Sequence, residues 1–206
     1  MTTSKGTVQN AIDAKMAPYV AALGRVAHSW NYLQEALGQL FCGVTGLESV
    51  VGEAIWHSTT NDRAQREMLR AAIMASTQER LAVELPKAKD DIKWLLDRAD
   101  SVAEQRNTAI HAPMSLVLGN KEIELHPLAY HGNPRARKLV GKDILTEFDW
   151  YEKCADALTD FARAARRAIA GDSAPWPEKP QMPRLQQRKN KPLRHKSDAE
   201  LDRLRP

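Results

Sequence analysis

Over most of the first 110 positions the apolar residues recur at spacings of three and four, which is the period of an amphipathic helix. Val20, Leu23, Ala27, Trp30, Leu33, Leu37, Leu40, Phe41 and Val44 form one stripe, so a long helix is predicted from Pro18 until Gly46 ends it. The first ten or so residues are polar and lack that period, and order is predicted to begin near Pro18, so 1–17 are predicted to be disordered. A shorter helix is predicted over 47–56, followed by the cap-type residues Ser58, Thr59, Thr60 and Asn61. A third helix is predicted to run from there to about Leu85, on Ala64, Met68, Leu69, Ala72, Ile73 and Leu81, stopping before Pro86. The fourth starts near Ala88, and its stripe reads Ile92, Leu95, Leu96, Ala99, Val102, Ala103, Arg106, Ile110 before Pro113.

Beyond Pro113 the period shortens to two. Residues 115–118 and 121–125 alternate on either side of Gly119-Asn120, which predicts a β-hairpin. Pro127, Gly132 and Pro134 mark an irregular loop, with Arg135, Arg137 and Lys138 on its far side. A fifth helix over 145–169 carries Phe148, Tyr151, Ala155, Leu158, Phe161 and Ala165 on one face. Five prolines between Pro175 and Pro192 then predict a tail without a packed element, in which Trp176 is the residue suited to pack back on the body. The fold class is therefore all-α. It is a compact bundle of about five helices spanning 18–170, with a small β-hairpin insertion between the last two and a Pro-rich basic tail, predicted disordered, over 171–206.

Charge sharpens the division between body and tail. Of 30 Lys or Arg and 26 Asp or Glu, nine and five lie between Gly171 and Pro206, so the tail holds the whole net charge of +4. Arg184, Arg188, Lys189, Lys191, Arg194 and Lys196 form a run with no acidic residue. Such a run is either a salt-sensitive contact for a nucleic-acid backbone or a solvated tail without a partner. No stretch approaches the roughly 18 apolar residues of a membrane span, and Met1–Lys5 shows no apolar core of a signal peptide, so a cytoplasmic protein with no membrane partner is expected. Cys42 and Cys154 fall inside helical patterns and are read as buried thiols. Neither they nor His57, His126, His131 and His195 stand at metal-ligand spacing, and no metal or cofactor is implied. Trp56, Trp94 and Trp150 sit within helical patterns as core or interface anchors.

One segment carries chemistry. Arg106, Asn107 and His111 form an R-N-x-x-x-H motif on the last turns of the fourth helix. Asn107 and His111 share a face, and Arg106, about 100° round, has a stem long enough to swing back toward them. Arg is a permanent planar cation suited to phosphate, and His is the side chain that titrates near neutrality, so the pair matches phosphodiester chemistry. Arg106 also continues the apolar stripe, where a cation is costly unless compensated. Covering by a second copy of the chain would explain that placement. The alternative is a helix end at which Arg106 snorkels and His111 caps.

The motif, at the C-terminus of a late helix in a helical bundle, resembles the R-N-x-x-x-H ribonuclease type of the HEPN superfamily (higher eukaryote and prokaryote nucleotide-binding domains). The first helix, with Trp30-Asn31-Tyr32-Leu33-Gln34-Glu35, is similar to the family's aromatic-then-acidic first helix. The resemblance covers residues 20–169. It implies a metal-independent endoribonuclease that works as a homodimer, with His111 as general acid or base for attack of a ribose 2′-hydroxyl on its phosphate. Arg106 would stabilise the phosphorane charge and Asn107 would orient His111 or the phosphate. It further implies a toxin–antitoxin or phage-defence setting and an antitoxin or other regulatory partner, although Ala112-Pro113 stands where some family toxins carry a modifiable Tyr. His28 and Glu35, on the first helix, are supporting candidates. The alternative function is a catalytically inactive HEPN-like interaction module that binds nucleic acid through its tail.

Overall fold

A computed structural model describes residues 5–118, 123–129 and 133–185. In chain order the helices are α1 (Lys5–Thr45), α2 (Ser49–His57), α3 (Asp62–Ala75), α4 (Ala88–Ile110), α5 (Pro134–Arg137) and α6 (Ile144–Ala170). A single π-helical turn spans Arg80–Glu84, and strands β1 (Met114–Leu118) and β2 (Ile123–Pro127) pair antiparallel between α4 and α5. The all-α class with one hairpin insertion is what the two periods in the sequence predict. The hairpin's turn, Gly119-Asn120, lies outside the described residues.

Four helices make the frame. α1 and α6 run side by side in the same direction, with Tyr19 against Phe148, Arg25 paired with Glu152 at 3.0 Å and Arg163 over the Tyr32 ring. α3 packs on α1 and α4, and α4 packs on α6, so α1 and α4 face each other diagonally. Trp30, Leu33, Leu37 and Leu40 of α1 are buried against Leu69 and Ile73 of α3, Leu95, Leu96 and Ala99 of α4, and Leu158, Phe161 and Ala165 of α6. Each such aliphatic or aromatic side chain contributes about 1.5–3 kcal/mol of transfer free energy. α2 crosses α1 at two glycines: a Cβ on Gly38 would meet the Trp56 ring at 2.9 Å, and one on Gly52 would meet Cys42 Sγ at 2.5 Å.

Three expectations are corrected. α1 begins at Lys5, so residues 5–17 are helical instead of disordered, and Pro18 lies inside the helix. The extension is continuous with the buried part of α1, and its last turn lines one cleft with Leu125, His126 and Pro127 of β2 through Ala14, Lys15, Pro18 and Tyr19. The third helix stops at Ala75, because Ser76 turns extended and its hydroxyl donates to Val44 O, while Gln78 Nε2 donates to Gly43 O and Val44 O. The break thus satisfies carbonyls that the C-terminus of α1 leaves open. Residues 171–185 pack back on the body: Trp176 Nε1–H donates to Asp91 Oδ2 at 2.8 Å and Trp150 Nε1–H to Pro183 O at 2.8 Å.

Candidate functional site

α3 and α4 run antiparallel, which brings the N-terminus of α3 to the C-terminus of α4 beside the middle of α1. Asn61 starts α3 by accepting the backbone N–H groups of Arg63 and Ala64 on its side-chain oxygen, and this fixes Asp62 in the first turn. Asp62 Oδ2 accepts the Trp30 Nε1–H at 2.7 Å and lies 3.6 Å from Arg106 Nη2. The Arg106 guanidinium stacks on the Trp30 ring, with Cζ 4.2 Å from the centroid. Its Nη2 donates to Asn107 Oδ1 at 2.6 Å, and its buried Nε has no hydrogen-bond partner among the described residues. With only 14% of its side chain exposed, Arg106 is held by three elements of its own chain.

A second copy is therefore not needed to explain the placement of Arg106. The apolar stripe of α4 ends against Trp30, and the cation is compensated internally by an aromatic face and by Asp62. Burial lowers the pKa of Arg106, while Asp62 acts to raise it and the neighbouring Arg66 to lower it further. A guanidinium remains a cation throughout the ordinary pH range. Arg66 lies behind, 4% exposed, with its Cζ 5.7 Å from the same Trp30 ring and its Nε bonded to Asp100 Oδ1 at 2.7 Å. Arg70 continues the ladder to Asp97 and Asp100 at 2.8 and 3.0 Å. Three arginines and three aspartates therefore line the α3–α4 seam, with Arg106 and Arg66 as like-charged neighbours over the Trp30 ring.

The other two motif residues face outward. Asn107 and His111 are exposed one turn apart, and the His111 backbone N–H closes the helix on Asn107 O at 3.1 Å. Asn107 Oδ1 accepts from Arg106, and the residue is exposed, which leaves its amide N–H groups as donors. The arrangement thus offers an exposed imidazole for proton transfer, a neutral donor beside it and a fixed cation in contact with that donor.

The supporting candidates do not join this group. His28 is exposed and stacks edge-on against Tyr32 at 4.4 Å, and two residues on from it Trp30 points to the opposite side of α1. Glu35 is exposed and pairs with His57 at 3.5 Å. Of the basic run, Arg184 is exposed, and Arg188, Lys189, Lys191, Arg194 and Lys196 lie outside the described residues, as do His131 and His195. Sequence reasoning missed Asp62 and Arg66. Asp62 carried a faint signal as the residue after a strong N-cap, but nothing local ties it to a Trp 32 positions earlier. Among the described residues no group of three or more His, Cys, Asp or Glu is arranged to hold a metal ion, and no helix is long and apolar enough to cross a membrane. Comparison with protein-family models, with curated proteins and with solved structures returned no match.

Proposed function

We propose that the Arg106, Asn107 and His111 ridge is the active site of a HEPN-like, metal-independent endoribonuclease. The observation that carries this reading is the exposure of Asn107 and His111 one turn apart, with Asn107 hydrogen-bonded to a fixed guanidinium at 2.6 Å. His111 takes or returns the proton of the attacking 2′-hydroxyl. The Asn107 amide donates to a phosphate oxygen, and Arg106 supplies positive potential at the developing phosphorane, an effect worth several kcal/mol where water is excluded. Two copies placed ridge to ridge, as the family resemblance implies, would exclude that water, and a regulatory partner would hold the activity in check.

A second reading is favoured by the depth of Arg106. A cation stacked on Trp30 and facing Asp62 serves to lock α1, α3 and α4 together, as a structural arginine would in a catalytically inactive interaction module. Mixed RNA incubated in EDTA with the purified protein, His111→Ala and Arg106→Ala separates the two. The nuclease reading expects cleavage by the parent and at least a hundredfold loss in His111→Ala, in line with the loss of a general acid or base. Identical traces for all three proteins would leave the interaction module standing.

A further inference from the structure

Residues 171–185 form a strap that side chains hold to the seam between α4 and α6. Trp176 Nε1–H donates to Asp91 Oδ2 at 2.8 Å, and Lys179 Nζ pairs with Asp91 Oδ1 at 2.7 Å. Both carboxylate oxygens of a residue only 7% exposed are thus engaged by one segment. The Trp176 ring stands edge-on to Phe161, Lys179 Nζ lies 5.7 Å from the centre of the Trp94 ring, and Trp150 Nε1–H donates to Pro183 O at 2.8 Å. Prolines at 175, 177, 180 and 183 remove four backbone donors and favour an extended path. Among the described residues no backbone–backbone hydrogen bond joins 173–185 to the bundle. An extended proline-rich chain laid along aromatic rings is how folded domains grip proline-rich peptides, and here the peptide belongs to the same chain.

The turn that brings the strap back is the strained part. Gly171 closes α6 with φ of 88°, and two residues later Ser173 takes φ of 55°, the one left-handed non-glycine residue among those described. A side chain is disfavoured in that region, and such strain persists only where the surroundings impose it. The contacts at Asp91 and Phe161 impose it here, because Phe161 lies nine residues, about 14 Å, back from Ala170 along α6. Gly171, Asp172 and Ser173 are exposed. Opened straight, 171–175 span about 17 Å, more than one helix diameter of about 10 Å, so the strap can reach a neighbouring molecule. Detachment alone would leave Asp91 a buried carboxylate without the two donors of the strap and would uncover Phe161, and both are unfavourable. What restores the seam must bring an indole N–H, an ammonium three residues later and a carbonyl on an extended proline-rich chain. A second copy of this chain carries that set in the right order.

We infer that the α4–α6 seam is an interface for a second copy of the chain, formed by exchange of residues 174–185 between two molecules. Each strap then makes on the other molecule the contacts that it makes on its own in the closed form. Because those contacts are kept, the balance between the two forms is set by the strain that opening releases at Ser173 against the entropy lost in joining two molecules. Exchange therefore rises with protein concentration, and a shorter hinge favours it. It does not depend on what the Arg106–His111 ridge does.

The test uses full chains carrying one added thiol each, Lys87→Cys and Glu178→Cys. Both positions are exposed and line the same cleft, Lys87 at the start of α4 and Glu178 on the strap. The two proteins are mixed at high concentration, treated with a short bifunctional maleimide and resolved under denaturing conditions. The parent serves as the blank for the buried Cys42 and Cys154. One chain carrying both substitutions shows that the reagent spans the cleft. The expected result is a covalent product of doubled mass from the mixture and none from either protein alone. Deleting residues 172–174 from both proteins shortens the hinge by about 10 Å and is expected to raise the yield on the order of tenfold. Ser173→Gly, which relieves the closed form, is expected to lower it severalfold. Trp150→Phe with Trp176→Ala, which loosens the strap, is expected to abolish it. No product of doubled mass from the mixture, or one that survives Trp150→Phe with Trp176→Ala, overturns the proposal. Suppression of the product by an unrelated proline-rich peptide, at concentrations where a peptide of residues 174–185 leaves it intact, overturns the second copy as the occupant. Thermal unfolding of each variant checks that the bundle is intact.

Discussion

Trp30 ties the candidate site together through two different properties of one side chain. Its ring face carries Arg106 and its ring N–H carries Asp62, so the two can be separated by substitution. Trp30→Ala removes both along with a buried aromatic, and unfolding by urea should show a loss of about 3–5 kcal/mol. Trp30→Phe keeps a ring under Arg106 but strips Asp62 of its donor, and a smaller loss of about 1–2 kcal/mol is expected from the same measurement. Near-equal losses would mean that the N–H bond, not the ring, holds the cluster. A second residue tests the core by pH. Burial pushes the Cys154 thiol up to about 12, against an ordinary thiol value of about 8.5. The folded state therefore retains a proton that the unfolded state releases, so stability is unaffected below about pH 8.5 and falls as pH rises from there toward 12. Replacing Cys154 with Ala should flatten that limb of a stability profile. The motif was legible in the sequence as three polar residues at helical spacing. The partners of Arg106 were not, because a stripe says that a face is covered without saying which distant element covers it.

Among the elements, periodicity identified α2, α4 and α6 closely, and it failed where long-range hydrogen bonds outweighed local pattern. Residues 76–85 keep apolar positions such as Leu81, yet Ser76 and Gln78 leave the helix to serve carbonyls of α1 more than 30 positions away. The start of α1 was missed because residues 5–17 carry no apolar stripe of their own and are mostly exposed, yet continue the helix that the buried positions from Ala22 onward anchor. Two substitutions measure how elements are fixed. Asn61→Ala removes the side-chain acceptor for two backbone donors of α3 and should cost about 1 kcal/mol. Because the same cap aims Asp62, it should also loosen Arg106, visible as faster hydrogen exchange of its side-chain N–H. Gly38→Ala forces a methyl group into the Trp56 ring and should cost about 1–3 kcal/mol by overpacking, lowering the thermal midpoint without altering the ridge. A neutral Gly38→Ala would show that α2 can slide on α1.

For the molecule as a whole, the sequence separated a charge-neutral body from a basic tail, and the structure moves the boundary between them. Residues 171–185 belong to the packed body through Trp176, Lys179 and Pro183, and Arg184 follows an anchor near the start of α6 instead of leaving from its end. The prolines that argued against a packed element also make an extended strap with few donors to satisfy, so composition alone could not distinguish a strap from a free tail. Internal compensation of Arg106 separates two questions that the sequence had joined, namely whether the chain pairs with itself and why an arginine interrupts an apolar stripe. The second is answered within one chain. The first is open to light scattering of the parent protein, for which the nuclease reading expects a dimer mass. Function itself is decided most directly by product chemistry, using a single-stranded RNA, its 2′-O-methyl analogue and the His111→Ala protein, all in EDTA. Cleavage of the RNA to 2′,3′-cyclic phosphate ends, with no cleavage of the analogue and none by His111→Ala, is the expected result. An uncut RNA, or an analogue cut as readily as the RNA, would contradict it.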